Sequence, residues 1–308
     1  MSVAISFTNV EKRYGATKAL DKVSLQVRRG EMFGLIGPDG AGKTTAIRLM
    51  CGLLHAGAGE VRVLGADPVR DHQRITKAVG YLSQRFSLYG DLTIDENIAF
   101  FAEIHGMADY HARRDQLLDM TQLTPFRKRL ADRLSGGMKQ KLALACTLVH
   151  EPEVILLDEP TTGVDPVSRR EFWKLLSEFL SQGITILMST PYLDEAERCT
   201  RVALLHEGRV LALDEPERLR DLMPGRMVEM LAGSAPGLLD IVRRMPGVDD
   251  AQVFGERVHV RLHDTGEEAM QRFIGALQGT PLERAAVRPV PPSLEDVFIA
   301  RLGEEAQS

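Results

Sequence analysis

The chain has 308 residues, 26% of them charged, and a net charge of -5. Hydrophobic residues reach 44%, which is enough for a large core, and the length suits two domains or one large domain plus a small one. The mildly acidic balance excludes a global basic footprint for nucleic acid, and no apolar run reaches the roughly 18 residues that a membrane-spanning helix needs.

Two alternating stretches come first, Val3–Val10 and Ala19–Val27, and read as half-exposed strands. Met32–Gly37 is a short apolar run that suits a buried strand. A glycine-rich loop and a helical stretch from Lys43 to Cys51 follow it. Residues 95–150 are helical in pattern and break the alternation of strands and helices, so they form an inserted helical subdomain. Val154–Asp158 and Ile184–Ser189 are continuous apolar runs, as in strands covered on both faces. Arg169–Leu180 is helical, and Val202–His206 with Arg209–Leu213 makes a hairpin across Glu207-Gly208. The pattern predicts an α/β core with a largely parallel sheet.

Pro224-Gly225 marks a boundary. Beyond it come a strand (Met227–Leu231), a helix (Leu238–Met245), a hairpin (Ala251–Phe254 and Val258–Leu262), a helix (Glu267–Leu277) and a strand (Arg284–Val290). This β-α-β-β-α-β order is compatible with a small ferredoxin-like domain. Met1-Ser2-Val3-Ala4-Ile5 has no basic region followed by an apolar core, so no signal peptide is expected. Cys51, Cys146 and Cys199 lie far apart without ligand-like spacing. They read as reduced thiols in a cytosolic protein, packed as small hydrophobes.

Gly37-Pro38-Asp39-Gly40-Ala41-Gly42-Lys43-Thr44 fits G-x-x-x-x-G-K-S/T. Its glycines let successive backbone N–H groups point at phosphate oxygens, and the helix from Lys43 adds its positive end. Lys43 supplies a point charge for the β- and γ-phosphates, and the Thr44 hydroxyl can ligate Mg²⁺. A chance glycine-rich turn would lack the strand before it and the helix after it. Val154-Ile155-Leu156-Leu157-Asp158-Glu159-Pro160 is an apolar strand ending in two carboxylates. That places Asp158 at the metal and lets Glu159 serve as general base on a water. Without the loop upstream, a solvated acidic turn would be the better reading.

Leu134-Ser135-Gly136-Gly137-Met138 opens a further helix, with Ser135 as its N-cap. The order of phosphate loop, this motif and the Asp158-Glu159 strand resembles the ATP-binding subunits of ABC transporters, over about residues 1–222. The resemblance implies a P-loop ABC ATPase core. Such a core has a mostly parallel sheet, an antiparallel β subdomain and a helical subdomain, and here a small α+β domain at 226–308 would be added to it. It also implies a dimer that sandwiches two ATP molecules with Mg²⁺, each between one phosphate loop and the partner's signature residues Ser135, Gly136 and Gly137.

Other assignments follow from the same resemblance. The ATP-contacting run extends through Thr45. Tyr14 falls where the family stacks an aromatic ring on adenine, although it also reads as an ordinary strand aromatic. Gln84 matches the glutamine that reaches Mg²⁺ and the attacking water. Phe86, Leu88 and Tyr89 fall near the groove for a membrane subunit, or else are local core. Asp165 matches the D-loop aspartate. Pro292-Ser293-Leu294-Glu295-Asp296-Val297-Phe298 resembles the C-terminal motif of daunorubicin-resistance-type exporter ATPases, and also reads as a Ser-capped helix.

Two positions depart from the family pattern. Ser189-Thr190-Pro191-Tyr192 places Pro191 where the family has its switch histidine, and proline has neither a side-chain donor nor an N–H. Thr190 or Tyr192 are the candidate substitutes. Asp39 stands where an amide or hydroxyl is common, and would face a partner's Asp165 unless it rotates to solvent. Both departures fit a chain that works with a second, complete ATPase, as in the first half of a double-ATPase exporter.

The resemblance thus implies a motor for export through separate membrane permeases. The chain would lie in the cytoplasm, peripheral on the inner face of the membrane, with no nucleic-acid partner. A low-turnover regulator or scaffold, or the ATPase of an importer, remains the alternative. A soluble relative acting on ribosomes or DNA would carry two cores, coiled-coil insertions or basic arms, and none is visible.

Overall fold

The computed structural model describes residues 2–84, 88–231 and 237–305. The chain divides into two compact units, Met1–Pro216 and Glu217–Ser308.

In the first unit the elements run β1 (Val3–Tyr14), β2 (Thr17–Arg28), β3 (Met32–Ile36), α1 (Lys43–Met50), β4 (Ala58–Val63), α2 (His72–Ala78) and β5 (Val79–Leu82). Then come α3 (Ile94–Ile104), α4 (His111–Thr121), α5 (Gly136–Leu148), β6 (Val154–Asp158), α6 (Pro166–Ser181), β7 (Thr185–Thr190), α7 (Leu193–Ala196), β8 (Arg201–His206) and β9 (Arg209–Asp214). The expected strands are present, and β1 and β2 run further toward their shared turn than the alternation indicates. β4, α2 and β5 are additions to the sequence reading.

Two sheets share this unit. β2, β1 and β4 form an antiparallel sheet. The larger sheet has the order β5-β6-β7-β3-β8-β9, parallel except for the final hairpin strand β9. β3, β6 and β7 are wholly buried, which explains their unbroken apolar runs. One cluster of buried residues joins Leu35, Leu156 and Leu187 of this sheet to Ile47 of α1 and to Phe7 and Leu25 of the small sheet. That packing fixes the phosphate loop between two sheets. The segment between β5 and β6 is helical. Thr93 starts α3 with a reciprocal capping box to Glu96, and Ser135 caps α5. All three cysteines are free and buried, and burial pushes the Cys51 thiol up to about 12.

In the second unit, after α8 (Pro216–Asp221), follow β10 (Arg226–Leu231), α9 (Leu238–Arg243), β11 (Val248–Phe254), β12 (Arg257–Leu262), α10 (Glu267–Leu277), β13 (Ala286–Pro289) and α11 (Leu294–Glu305). The sheet order is β11-β12-β10-β13, antiparallel throughout. β12 therefore lies between the two strands that α9 connects, giving a split β-α-β arrangement. Val228, Met230, Val258 and Val260 face one side and pack with Val242 and Phe273. Glu229 and His259 alternate onto the other side, where His259 Nδ1 lies 3.1 Å from both carboxylate oxygens of Asp296. Asp296 also accepts from the Ser293 N–H and hydroxyl, and its own N–H donates to Ser293 Oγ. The Pro292–Phe298 motif is thus a capped helix start tied to β12. Among the described residues no helix is long and apolar enough to cross a membrane.

Candidate functional site

The order β6-β7-β3 brings three C-terminal strand ends side by side, at the edge where open α/β sheets bind ligands. β3 runs directly into Gly37. The loop then turns through Gly40 and Gly42, and Gly42 precedes α1 at φ 103°. A Cβ there would stand 2.3 Å from the Ala19 carbonyl oxygen, so only glycine fits. Thr45 lies in the first turn of α1 and is half-buried. Pro38, Asp39 and Gly40 are exposed, whereas Gly37, Ala41 and Lys43 are buried.

Lys43 curls back over its own loop. Its ammonium donates to the carbonyls of Gly37 at 2.8 Å and Pro38 at 3.0 Å. It also pairs with Glu159 Oε1 at 3.0 Å, and both side chains are under 10% exposed. Gln84 Nε2 donates to the other oxygen of Glu159 at 3.0 Å. The Thr44 hydroxyl donates to Asp158 Oδ1 at 3.0 Å. Five residues from three separate segments, Lys43 with Thr44, Gln84, and Asp158 with Glu159, therefore meet in one cluster. A cation and a row of loop amides stand ready for phosphate. A hydroxyl and a carboxylate offer the oxygen donors that a hard cation requires.

The signature residues form a second surface. The Ser135 hydroxyl accepts from the Met138 N–H at 3.3 Å, and Ser135 and Gly136 are exposed. Gly137 is buried against α6, where a Cβ would come within 2.2 Å of Ser168 Oγ. Gln140, one turn into α5, is fully buried and its amide donates to the Pro160 carbonyl. This bond ties the signature helix to the end of β6. Asp165 caps α6, accepting from Ser168 N at 3.0 Å and Val167 N at 3.1 Å. These bonds, Ser168's first, hold its carboxyl below the usual range. Asp39 is exposed to solvent.

The expected aromatic sites sit apart from the cluster. Tyr14 ends β1 at 48% exposure, with the Lys12 ammonium 5.5 Å from its ring centre. Tyr89 is exposed beside α3, edge-on to Phe100 at 4.5 Å, and its backbone is held at both polar groups by Asn97. Leu88 is half-buried, and Phe86 lies outside the described residues.

The switch position adjoins the phosphate loop directly. Thr190, the last residue of β7, accepts at its carbonyl from Gly37 N at 3.3 Å, and the half-buried Pro191 follows. Both candidate substitutes make contacts of their own. Thr190 is fully buried and its hydroxyl oxygen accepts from Tyr192 N at 3.0 Å. The Tyr192 ring lies under the Arg169 guanidinium at 4.8 Å. Arg169 in turn stands 3.6 Å from the buried Glu195, which accepts from Thr161 at 2.6 Å. The sequence reading passes over one participant, Ser189. Its hydroxyl donates to Asp158 Oδ1 at 2.7 Å. Only the parallel register of β6 and β7, which sets Asp158 opposite Ser189, discloses it.

Comparison with known proteins agrees with this geometry. The family model described as ABC transporter matches residues 20–162. The chain is 42% identical over 306 residues to the probable multidrug ABC transporter ATP-binding protein YbhF of Escherichia coli (strain K12), covering 97% of this chain and 52% of that protein. It therefore spans about half the length of that relative. It is 35% identical to the daunorubicin resistance ATP-binding protein DrrA3 of Streptomyces coeruleorubidus, covering 98% of this chain and 96% of that one. It is also 38% identical to the Nod factor export ATP-binding protein I of Burkholderia thailandensis, over the whole of both chains. Among solved structures, an ATP-binding subunit of an ABC transporter superposes with a TM-score of 0.65 at 31% identity, covering 71% of this chain and 92% of that one. The dimeric structure of a bacterial ABC transporter cassette gives 0.61 at 26% identity, covering 68% and 98%. The phosphate loop, the paired carboxylates and the signature helix are set on the fold these relatives share, and the chain belongs to the family of ABC transporter ATP-binding subunits.

Proposed function

We propose that this chain is the ATP-binding and hydrolysing motor subunit of an export system, driving efflux through separate integral-membrane permease subunits. The observation that carries this reading is the meeting of Lys43 and Thr44 with Gln84, Asp158 and Glu159 at the ends of β3 and β6. On this reading the loop Gly37–Thr45 wraps the phosphates and Tyr14 stacks on adenine. Thr44 and Asp158, with Gln84, hold Mg²⁺, which would neutralise phosphate charge. Glu159 takes the proton of the attacking water. That step requires Lys43 to leave Glu159 for the phosphates, which frees the base only when nucleotide is bound.

The site is half of a composite. Ser135, Gly136 and Gly137 would close over the ATP of a second cassette, with Asp165 near the partner's loop. Pro191 favours a different, complete ATPase as that second cassette over an identical copy, because this chain lacks the switch histidine. Asp39 supports the same choice, since two copies would set Asp39 toward the partner's Asp165. A permease would dock beside α3 at the exposed Tyr89, placing the chain on the cytoplasmic face of the membrane. The export assignment follows the relatives named for a multidrug ABC transporter, daunorubicin resistance and Nod factor export.

Glu159→Gln is the direct test. The variant should still bind ATP and lose hydrolysis, because the base is removed while Lys43 and the loop remain. Retained turnover would remove Glu159 from the role of base. Residues 226–308 are proposed as an accessory domain that tunes dimerisation or rate. A chain ending at Pro224 should still bind ATP in calorimetry while its self-association or rate changes. Loss of binding in a folded truncation would place that domain in the catalytic core instead.

A further inference from the structure

Asp158, the last residue of β6, stands in register opposite Ser189, the last but one of the parallel strand β7. Ser189 is fully buried and Asp158 is 1% exposed. The Ser189 hydroxyl has one proton to give, and gives it to Asp158 Oδ1 at 2.7 Å. The same hydroxyl accepts from the backbone N–H of Glu159 at 3.0 Å. Thr44 donates to that same Asp158 oxygen at 3.0 Å. Two hydroxyl protons on one oxygen fix the rotation of the carboxylate and leave its other oxygen to define the outward direction.

Glu159 adds a second constraint. It is a non-glycine residue at φ 49°, a left-handed conformation that persists only where the surroundings hold it. Ser189 holds it twice, through its hydroxyl and through its carbonyl, which accepts from the same N–H at 3.1 Å. That backbone turn aims the Glu159 side chain at Lys43 and Gln84. An alanine or valine at residue 189 would leave the carbonyl bond in place and remove the link between the two carboxylates.

We infer that Ser189 is a positioning residue for the nucleotide site, setting Asp158 for the divalent cation and the Glu159 backbone for the base through one shared hydroxyl. The inference rests on the nucleotide site proposed above. Ser189 does not touch nucleotide in this account; it acts through its neighbours. Its loss should therefore appear in the cation's contribution and not in the grip on the phosphates, which belongs to Lys43 and the loop.

The test is ATP binding by the full chain, titrated once in EDTA and once in Mg²⁺, for wild type, Ser189→Ala and Ser189→Thr. Ser189→Ala should fold, since the Glu159 N–H keeps its carbonyl partner, and a thermal melt checks this. Its affinity in EDTA should match wild type. The factor by which Mg²⁺ tightens binding should fall by about 10-fold, the usual scale for losing a group that orients a metal ligand. Ser189→Thr, which keeps the hydroxyl, should restore that factor. An unchanged Mg²⁺ factor in Ser189→Ala overturns the inference. So does a loss shared equally by alanine, threonine and the EDTA titration, which would be a packing effect. A wild-type chain that binds no ATP in either buffer overturns the nucleotide-site reading itself, a result distinct from any difference between variants.

Discussion

Lys43→Ala is expected to weaken ATP binding by about 100-fold or more. The estimate follows from losing charge-assisted bonds to two phosphates, each worth about 1.5–3 kcal/mol. The Lys43 ammonium is already placed and desolvated. Its side chain is 3% exposed, and it is held by the Gly37 and Pro38 carbonyls at 2.8 and 3.0 Å. Nucleotide therefore meets a cation in position, which exchanges the two loop carbonyls and the Glu159 carboxylate for phosphate oxygens. The substitution has a second consequence, for the stability of the chain itself. Glu159 would keep Gln84 and lose its only cation among the described residues. Removing one partner of a buried pair typically costs about 3–5 kcal/mol, so the variant should also melt earlier. Calorimetric titration and a thermal melt on the same sample separate the two effects. Unchanged ATP affinity would show that this loop is not the phosphate site.

Pro191→His is expected to raise the hydrolysis rate of the isolated chain by about 10²–10³-fold, the usual worth of one preorganised donor to a transition-state charge. The position suits such a donor. The preceding carbonyl, of Thr190, is bonded to the first amide of the phosphate loop at 3.3 Å. Thr190 is fully buried with its hydroxyl oxygen accepting from Tyr192 N, and the Tyr192 ring lies under Arg169. Proline also lacks an N–H, so Pro191→Ala is the control that restores the amide without the imidazole. Steady-state hydrolysis of wild type, Pro191→Ala and Pro191→His, with Glu159→Gln as the blank, isolates the side chain. Equal rates for alanine and histidine would show that the histidine's role is filled by another group.

The parts of the site that were legible in the sequence are those in which one short segment holds all its own chemistry. The phosphate loop carries its glycines, Lys43 and Thr44 within eight residues, and the strand ending in Asp158-Glu159 announces itself by an unbroken apolar run. Ser189 was not legible, because its hydroxyl acquires meaning only when β7 pairs with β6 in the register that sets it opposite Asp158. The bonds from Gln140 to Pro160 and from Thr161 to Glu195 were hidden for the same reason, since each joins elements 20 or more residues apart. β5 escaped notice because it is four residues long and pairs on one side only. In the second unit only β12 alternates cleanly between exposed or half-buried and buried positions, whereas β10 is buried along most of its length. The placement of β12 between β10 and β11 depends on how α9 crosses the sheet, which no local pattern encodes.

The central claim is that this chain fills its own site with MgATP and, alone, cleaves it slowly. A single-turnover reaction on the wild-type chain tests both halves at once. Protein in excess is mixed with labelled MgATP, and bound nucleotide is sampled over time. The account predicts that the label binds promptly and stays largely as ATP over the interval in which a cassette with the switch histidine converts it to ADP. Prompt conversion of the bound label to ADP by the unmixed chain would contradict it.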